Sequence, residues 1–182
     1  MKLRHLAVLF FIALSSAAAR AQVAIYGTFD ATHLSDNSNH QATWFYGPSI
    51  GAYYDFVHLG PLAAGVDLRG NFLFGSHEKY RSGLVGLRLS AKPPILPIKP
   101  YAQFSIGAGG AKADGTANFP DTNYSTKFQY EVLGGVDLTV LPRIDLRVAE
   151  VGYGRMSGVN GGTNAPASSL VTVGAGLVFR LP

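Results

Sequence analysis

"VDLTVLPRIDLRV" (Val136–Val148) places Val136, Leu138 and Val140, then Ile144, Leu146 and Val148, at every second position, with Asp137, Thr139, Asp145 and Arg147 between them. Alternation of period two marks a strand, because successive strand side chains point to opposite faces. The segment therefore reads as a hairpin with one aliphatic face and one charged face. Residues that face each other across a hairpin must lie on the same side, which leaves two close registers. One sets Asp137 against Asp145, two like charges, and is unfavourable. The other sets Asp137 against Arg147 and Thr139 against Asp145, with Leu141-Pro142-Arg143 as the turn. This register predicts an Asp137–Arg147 ion pair. Glu150 falls out of phase with Val148, so a bulge near Ala149 is expected to return it to the charged side.

Composition indicates what the aliphatic face meets. Apolar residues make up 47% of the 182, an ordinary share, but charged residues reach only 14%, well below the roughly 25% of soluble domains. Gly (22) and Tyr plus Phe (9 and 11) are abundant. A water-facing surface needs more charge than this chain supplies.

Similar alternation recurs along the chain, at 23–32, 43–56, 62–74, 82–91, 100–110, 127–140, 143–154 and 169–181. Segments of this length fit the tilted strands of a membrane barrel, which need about 9 to 11 residues each in the apolar zone. Connectors alternate between polar, mostly long ones (33–42, 75–81, 111–126, 155–168) and short or Pro-rich ones (57–61, 92–99, 141–143). One face collects Ile25, Phe29, Trp44, Ile50, Leu68, Phe72, Leu87, Phe104, Val132, Val173 and Phe179; the other collects Thr28, Asp30, Ser49, Asp67, Arg69, Arg88, Gln103, Glu131, Asp137, Arg147 and many glycines. A lumen formed by eight strands holds only small or interdigitating side chains, so the bulky apolar set belongs outside, against lipid. The expected fold class is all-β, an eight-stranded antiparallel up-and-down transmembrane β-barrel. Inside it, Asp67 and Arg88 form an expected second ion pair across strands three and four.

The N-terminus adds an address. Lys2, Arg4 and His5 precede the apolar run Leu6 to Leu14, and Ala19-Arg20-Ala21 has the form of a cleavage site, which predicts a signal peptide over 1–21 and a barrel domain over 22–182. Nine apolar residues are too few for a helical span, which takes about 20. Without residues 1–21, 12 basic residues face 11 acidic ones, and the net charge drops from +4 to +1. No basic patch then argues for nucleic acid as a partner. Cys is absent, which removes disulfide and thiolate chemistry.

The runs "GGVDLTVLPRIDLRVAEVGYG" (134–154), "KPYAQFSIGAGGAK" (99–112) and "VTVGAGLVFRLP" (171–182) resemble the small outer-membrane β-barrel family that includes the OmpA transmembrane domain, OmpX and the opacity-type proteins. The likeness covers essentially all of 22–182. It implies a bacterial outer-membrane location, reached across the inner membrane by the signal peptide, with outer-membrane lipid and the outer-membrane assembly machinery as partners. Members usually end on an aromatic residue; here Phe179 is followed by Arg180-Leu181-Pro182, with Phe179 and Leu181 keeping the outward alternation.

Four short patterns mimic active or ligand sites. "GPSIG" (47–51) has the form of a nucleophile elbow, which needs a strand, a sharp turn and a helix, whereas this stretch runs on as alternating strand. His33 and Ser35 resemble two members of the His-Ser-Glu set of lipid A deacylases, with Asp36 but no suitably placed Glu nearby. "SDNSNH" (35–40) offers oxygens to a cation but lacks the Gly and terminal Glu of a calcium loop. "GAGG" (107–110) has no following helix to complete a dinucleotide fingerprint. No catalytic, cofactor-binding or metal residues are therefore assigned. The expectation is a non-enzymatic barrel with an envelope-structural role or a surface-loop adhesion and interaction role. Its surface partners would be met through the long loops around Asn37, Asp121 and Asn160. A lipid-modifying barrel enzyme and a narrow channel for small solutes are the alternatives.

Overall fold

A computed structural model describes residues 22–36, 41–76, 78–93, 95–113, 126–158 and 168–181. The expected signal peptide, and the loop positions Asn37, Asp121 and Asn160, lie outside the described residues. The described chain forms eight strands: β1 (Gln22–Asp36), β2 (Gln41–Leu59), β3 (Leu62–Phe74), β4 (Glu78–Ala91), β5 (Ile98–Ala113), β6 (Lys127–Leu141), β7 (Ile144–Gly158) and β8 (Ser168–Arg180). Each pairs antiparallel with the next, and β8 returns to β1, closing a barrel. Closure leaves no unpaired sheet edge, the condition that lipid imposes on any β-structure crossing it.

Alternation decides which way each side chain points. Along β4 every second residue is buried, from Tyr80 through Ser82, Leu84, Gly86 and Arg88 to Ser90, and the residues between them are exposed. The exposed set is the aliphatic one: Leu68, Leu87 and Leu89 are each more than 60% exposed, whereas Asp67 and Arg88 beside them are 1% and 2%. The charged side chains are inside and the large apolar ones outside, the inverse of a soluble domain. Aromatic residues ring the loop side of the outer surface (Phe29, Trp44, Tyr46, Phe72, Phe74 and Phe128), while Tyr54 and Phe179 lie toward the turn side. Such girdles mark the two interfaces of a membrane.

The turn side is tight. Gly60, with φ of 60°, and Pro61 connect β2 to β3, and glycine takes this left-handed conformation without steric cost. The β6–β7 turn is shorter than the sequence suggests. Pro142 and Arg143 alone form it, because Leu141 pairs with Ile144. A register shift between Thr139 and Leu141 accommodates the closer turn.

The lumen is filled in layers. Phe45, Leu73, Tyr80, Met156 and Leu170 form an apolar cluster toward the loops, and Ala24, Tyr26, Tyr53 and Val178 form another toward the turns. The bulky set expected on the outer face lies there, but the lumen also holds large rings that the sequence reading did not assign, Phe45 and the four tyrosines Tyr26, Tyr53, Tyr80 and Tyr101, all 5% exposed or less. Glycines explain the room for two of them. Gly51 and Gly135 stand opposite Tyr26 and Tyr101 in the register, and a Cβ at either would fall 2.3 or 2.5 Å from the tyrosine Cζ. Each ring lies over the strand position that has no side chain.

Candidate functional site

The middle of the lumen holds three guanidinium groups among five carboxylates. Arg69 (β3), Arg88 (β4) and Arg147 (β7) are each at most 4% exposed, and so are Asp30, Asp67, Glu131, Asp137 and Glu150. Ions are costly to remove from water, so such a cluster persists only when its members pair and hydrogen-bond.

Arg147 lies at its centre. It stands directly opposite Asp137 in the β6–β7 register and donates from Nε to Asp137 Oδ1 at 2.9 Å and from Nη2 to Asp137 Oδ2 at 3.4 Å. Its Nη1 donates to Glu150 Oε2 at 3.0 Å. Glu150 is available because the strand bulges. Val148 has no partner in the β6–β7 register, the β7–β8 register shifts between Arg147 and Glu150, and Val148 and Ala149 both face outward, so that Glu150 turns in. There it also accepts hydrogen bonds from Arg69 and from the Tyr101 hydroxyl. Arg69 extends the chain of charges, donating from Nη2 to Asp30 Oδ2 at 3.1 Å and from Nε to Asn71 Oδ1 at 3.1 Å.

The Asp67–Arg88 pair needs correction. In the β3–β4 register Asp67 faces Gly86 and Arg88 faces Gly65, two positions apart. Arg88 instead reaches across the lumen and donates from Nη2 to Asp137 Oδ2 at 2.9 Å. Its guanidinium carbon lies 3.6 Å from the Tyr101 ring centroid and 4.3 Å from that of Tyr53, close enough for cation–π attraction. Asp67 Oδ1 accepts from the Tyr26 hydroxyl at 2.9 Å and from Gln103 Nε2 at 2.8 Å. Asp137 is therefore shared by two arginines, and Asp67 is held by neutral donors. The tyrosines close the network: Arg147 lies 4.4 and 4.6 Å from the Tyr26 and Tyr101 centroids. The strand parity that puts Thr28 and Asp30 inside puts Tyr26 there too, so this signal was available in the sequence.

A second ionic layer closes the turn side. Asp55 accepts from Lys92 Nζ at 2.6 Å, and Asp145 is flanked by Lys99 and Arg180, each at 3.0 Å. The barrel is thus crossed by apolar, ionic, apolar and ionic layers in turn. Arginine and carboxylate groups paired across strands in this way tie the strands together.

The other patterns are scattered. Ser49 is fully buried within β2, opposite Thr28 and Asn71, so the "GPSIG" stretch makes no elbow. His33 and Ser35 lie on the outward-facing positions of β1, with the His33 ring 4.8 Å from that of Trp44 and Ser35 facing Ser169. Residues 37–40 of the "SDNSNH" stretch lie outside the described residues. Gly109 of "GAGG" leaves space for Gln129, whose Oε1 would lie 2.2 Å from a Cβ there. Among the described residues no three His, Asp or Glu side chains converge to hold a metal ion.

No protein-family model matches the sequence, and no curated protein matches it. Solved structures do. The chain is similar to Neisserial surface protein A (NspA), with a TM-score of 0.62 and 21% identity over 88% of this chain and 99% of that one. It is also similar to Ail, the attachment invasion locus protein of Yersinia pestis, solved in complex with the heparin analogue sucrose octasulfate, with a TM-score of 0.52 and 13% identity over 87% and 97% of the two chains. At these identities the likeness is one of fold: the chain has the architecture of the small eight-stranded outer-membrane β-barrels.

Proposed function

We propose that this chain is an integral protein of the bacterial outer membrane whose barrel is a sealed, non-enzymatic anchor and whose long loops make surface contacts. The observation that carries the proposal is the inversion of its faces. The exterior is a continuous belt of aliphatic and aromatic side chains, and the interior is closed by the ionic network around Arg147. With side chains filling the lumen, the loops are the segments left to recognise anything outside the cell. The residues the sequence assigned to that role, Asn37, Asp121 and Asn160, lie beyond the described strands.

Two measurements test this reading. Purified protein run on a detergent gel with and without boiling should migrate as two species, as a closed barrel does. Reconstituted in a planar bilayer, it should give no stable current. A steady single-channel conductance would contradict the sealed lumen and favour the small-solute channel. Recovery in the soluble fraction would contradict membrane insertion.

A further inference from the structure

The turn side carries a connector longer than its hairpin needs. Two residues join β2 to β3 and two join β6 to β7, whereas residues 92–97, Lys-Pro-Pro-Ile-Leu-Pro, separate β4 from β5. Two residues suffice to close an antiparallel hairpin, so closure does not explain the rest. Ile95, at 91%, is the most exposed large apolar side chain among the described residues, and Leu96 is 57% exposed.

Lipid does not account for this exposure. On β3 the outward apolar residues run from Phe72 to Leu62, about 33 Å along the strand. At the tilt of a membrane barrel this is about 25 Å of depth, the full height of an apolar band. Leu62 pairs with Ala91, the last residue of β4, and the connector continues past it before the chain returns at Ile98. Ile95 and Leu96 therefore stand on the water side of the belt, where large apolar side chains gain from being covered.

The connector is held in place at both ends. The Lys92 N–H donates to the Pro61 carbonyl in the β2–β3 turn, and the Thr139 N–H of β6 donates to the Pro97 carbonyl. Pro93 and Pro97 have fixed φ and no N–H to add to a sheet, so the segment offers side chains rather than a strand edge. A segment already fixed loses little freedom when it binds.

Around this tip the charge is one-sided. Lys92 and Lys99, on either side of Ile95, and Arg180 are partly exposed, while the carboxylates they pair with, Asp55 and Asp145, are buried. Arg143 of the β6–β7 turn adds an exposed cation. Four cations over two sunken carboxylates leave the face positive, and it complements an acidic surface.

On the outer-membrane reading proposed above, this side faces the periplasm, and we infer that the 92–97 connector docks a water-soluble periplasmic protein. The tip is convex, so the partner supplies the concavity: an apolar groove for Ile95 and Leu96, rimmed by acidic residues that meet Arg143 and the two lysines.

A photo-crosslinking residue in place of Ile95, in cells that make the full chain, tests the inference. The expected product is an adduct with a soluble protein, mapped by mass spectrometry to an apolar groove rimmed by Asp or Glu. Arg143→Glu, which reverses a charge at the contact, and Leu96→Ser, which removes apolar area from it, should each cut the yield about fivefold. The same crosslinker at the lipid-facing Leu87 should not give this adduct. Adducts with phospholipid alone, no adduct, an adduct at a surface without acidic residues, or a yield that neither substitution changes would overturn it. The unboiled gel species reports folding separately. A folded barrel without the adduct contradicts this inference alone, whereas a chain with no folded form contradicts the barrel reading.

Discussion

Asp137 and Arg147 stand opposite each other on β6 and β7, joined at 2.9 and 3.4 Å, and Asp137 also holds Arg88 from across the lumen at 2.9 Å. One carboxylate thus ties β6 to β7 and to β4. Replacing it should destabilise the barrel more than replacing Asp67, whose hydrogen-bond partners Tyr26 and Gln103 are neutral. Asp137→Asn leaves two buried guanidinium groups short of countercharge and should cost about 3–5 kcal/mol. Asp67→Asn should cost about 1–3 kcal/mol, the penalty of a buried polar group that loses its partners. Urea unfolding of the two variants in lipid vesicles compares them; equal losses would mean that Asp137 is not the shared node.

Arg147 and Asp137 do not form an isolated pair, and this changes what a double substitution does. For a simple pair, removing both partners is milder than removing one. Here Arg147→Met with Asp137→Asn still strands Arg88, so the double variant should recover little of the loss seen in Arg147→Met alone. A double variant restored to near wild-type unfolding free energy would show that Arg88 does not depend on Asp137.

The glycines divide into two kinds with opposite expectations. Gly135→Ala puts a Cβ 2.5 Å from the Tyr101 ring and should destabilise by about 1–3 kcal/mol through overpacking. Gly83→Ala meets nothing within 4 Å and should be neutral or stabilising by about 0.5–1 kcal/mol, because it removes the cost of glycine in a strand. Thermal unfolding midpoints of the two variants, which should move apart, provide the check.

Depth on the outer face should set the cost of a charge. Leu68 is 62% exposed and lies midway along β3, so Leu68→Arg should cost about 2–4 kcal/mol. Leu138 faces Ile98, the first residue of β5, and Leu146 near the short turn, so Leu138→Arg should cost only about 0–1 kcal/mol. Folded yield in vesicles, measured from the unboiled gel species, ranks the two.

These contrasts also show how far the sequence could be read. The register of β6 against β7 was legible because a short turn fixes parity and like-charge avoidance selects between two neighbouring alignments. The bulge was legible because Glu150 breaks the phase of an otherwise regular strand. The β3–β4 register was not. The connector was expected over 75–81, too long a stretch to fix an alignment; its residues 78–81 belong to β4, and the real register offsets Asp67 from Arg88 by two positions. An arginine side chain is also long enough to leave its neighbour strand altogether, as Arg88 does in reaching Asp137. The lumen tyrosines were not assigned at all: parity places Tyr26 on the side of Thr28 and Asp30, but the room for its ring and for that of Tyr101 comes from the cross-strand glycines at 51 and 135, which only the register reveals.

The face assignment on which the account rests is tested most directly by a nitroxide scan of β4. The chain contains no cysteine, so single cysteines at the outward positions 85, 87 and 89 and at the small inward positions Ser82 and Ser90 can each be introduced without background and the protein reconstituted in lipid. At 85, 87 and 89 a nitroxide should attach and collide often with oxygen, which concentrates in the bilayer, and rarely with a polar nickel reagent. At 82 and 90 the thiol should resist labelling in the folded barrel. Ready labelling at 82 and 90, or nickel accessibility that is high at 85, 87 and 89, would contradict a barrel whose aliphatic face meets lipid and whose charges are sealed inside.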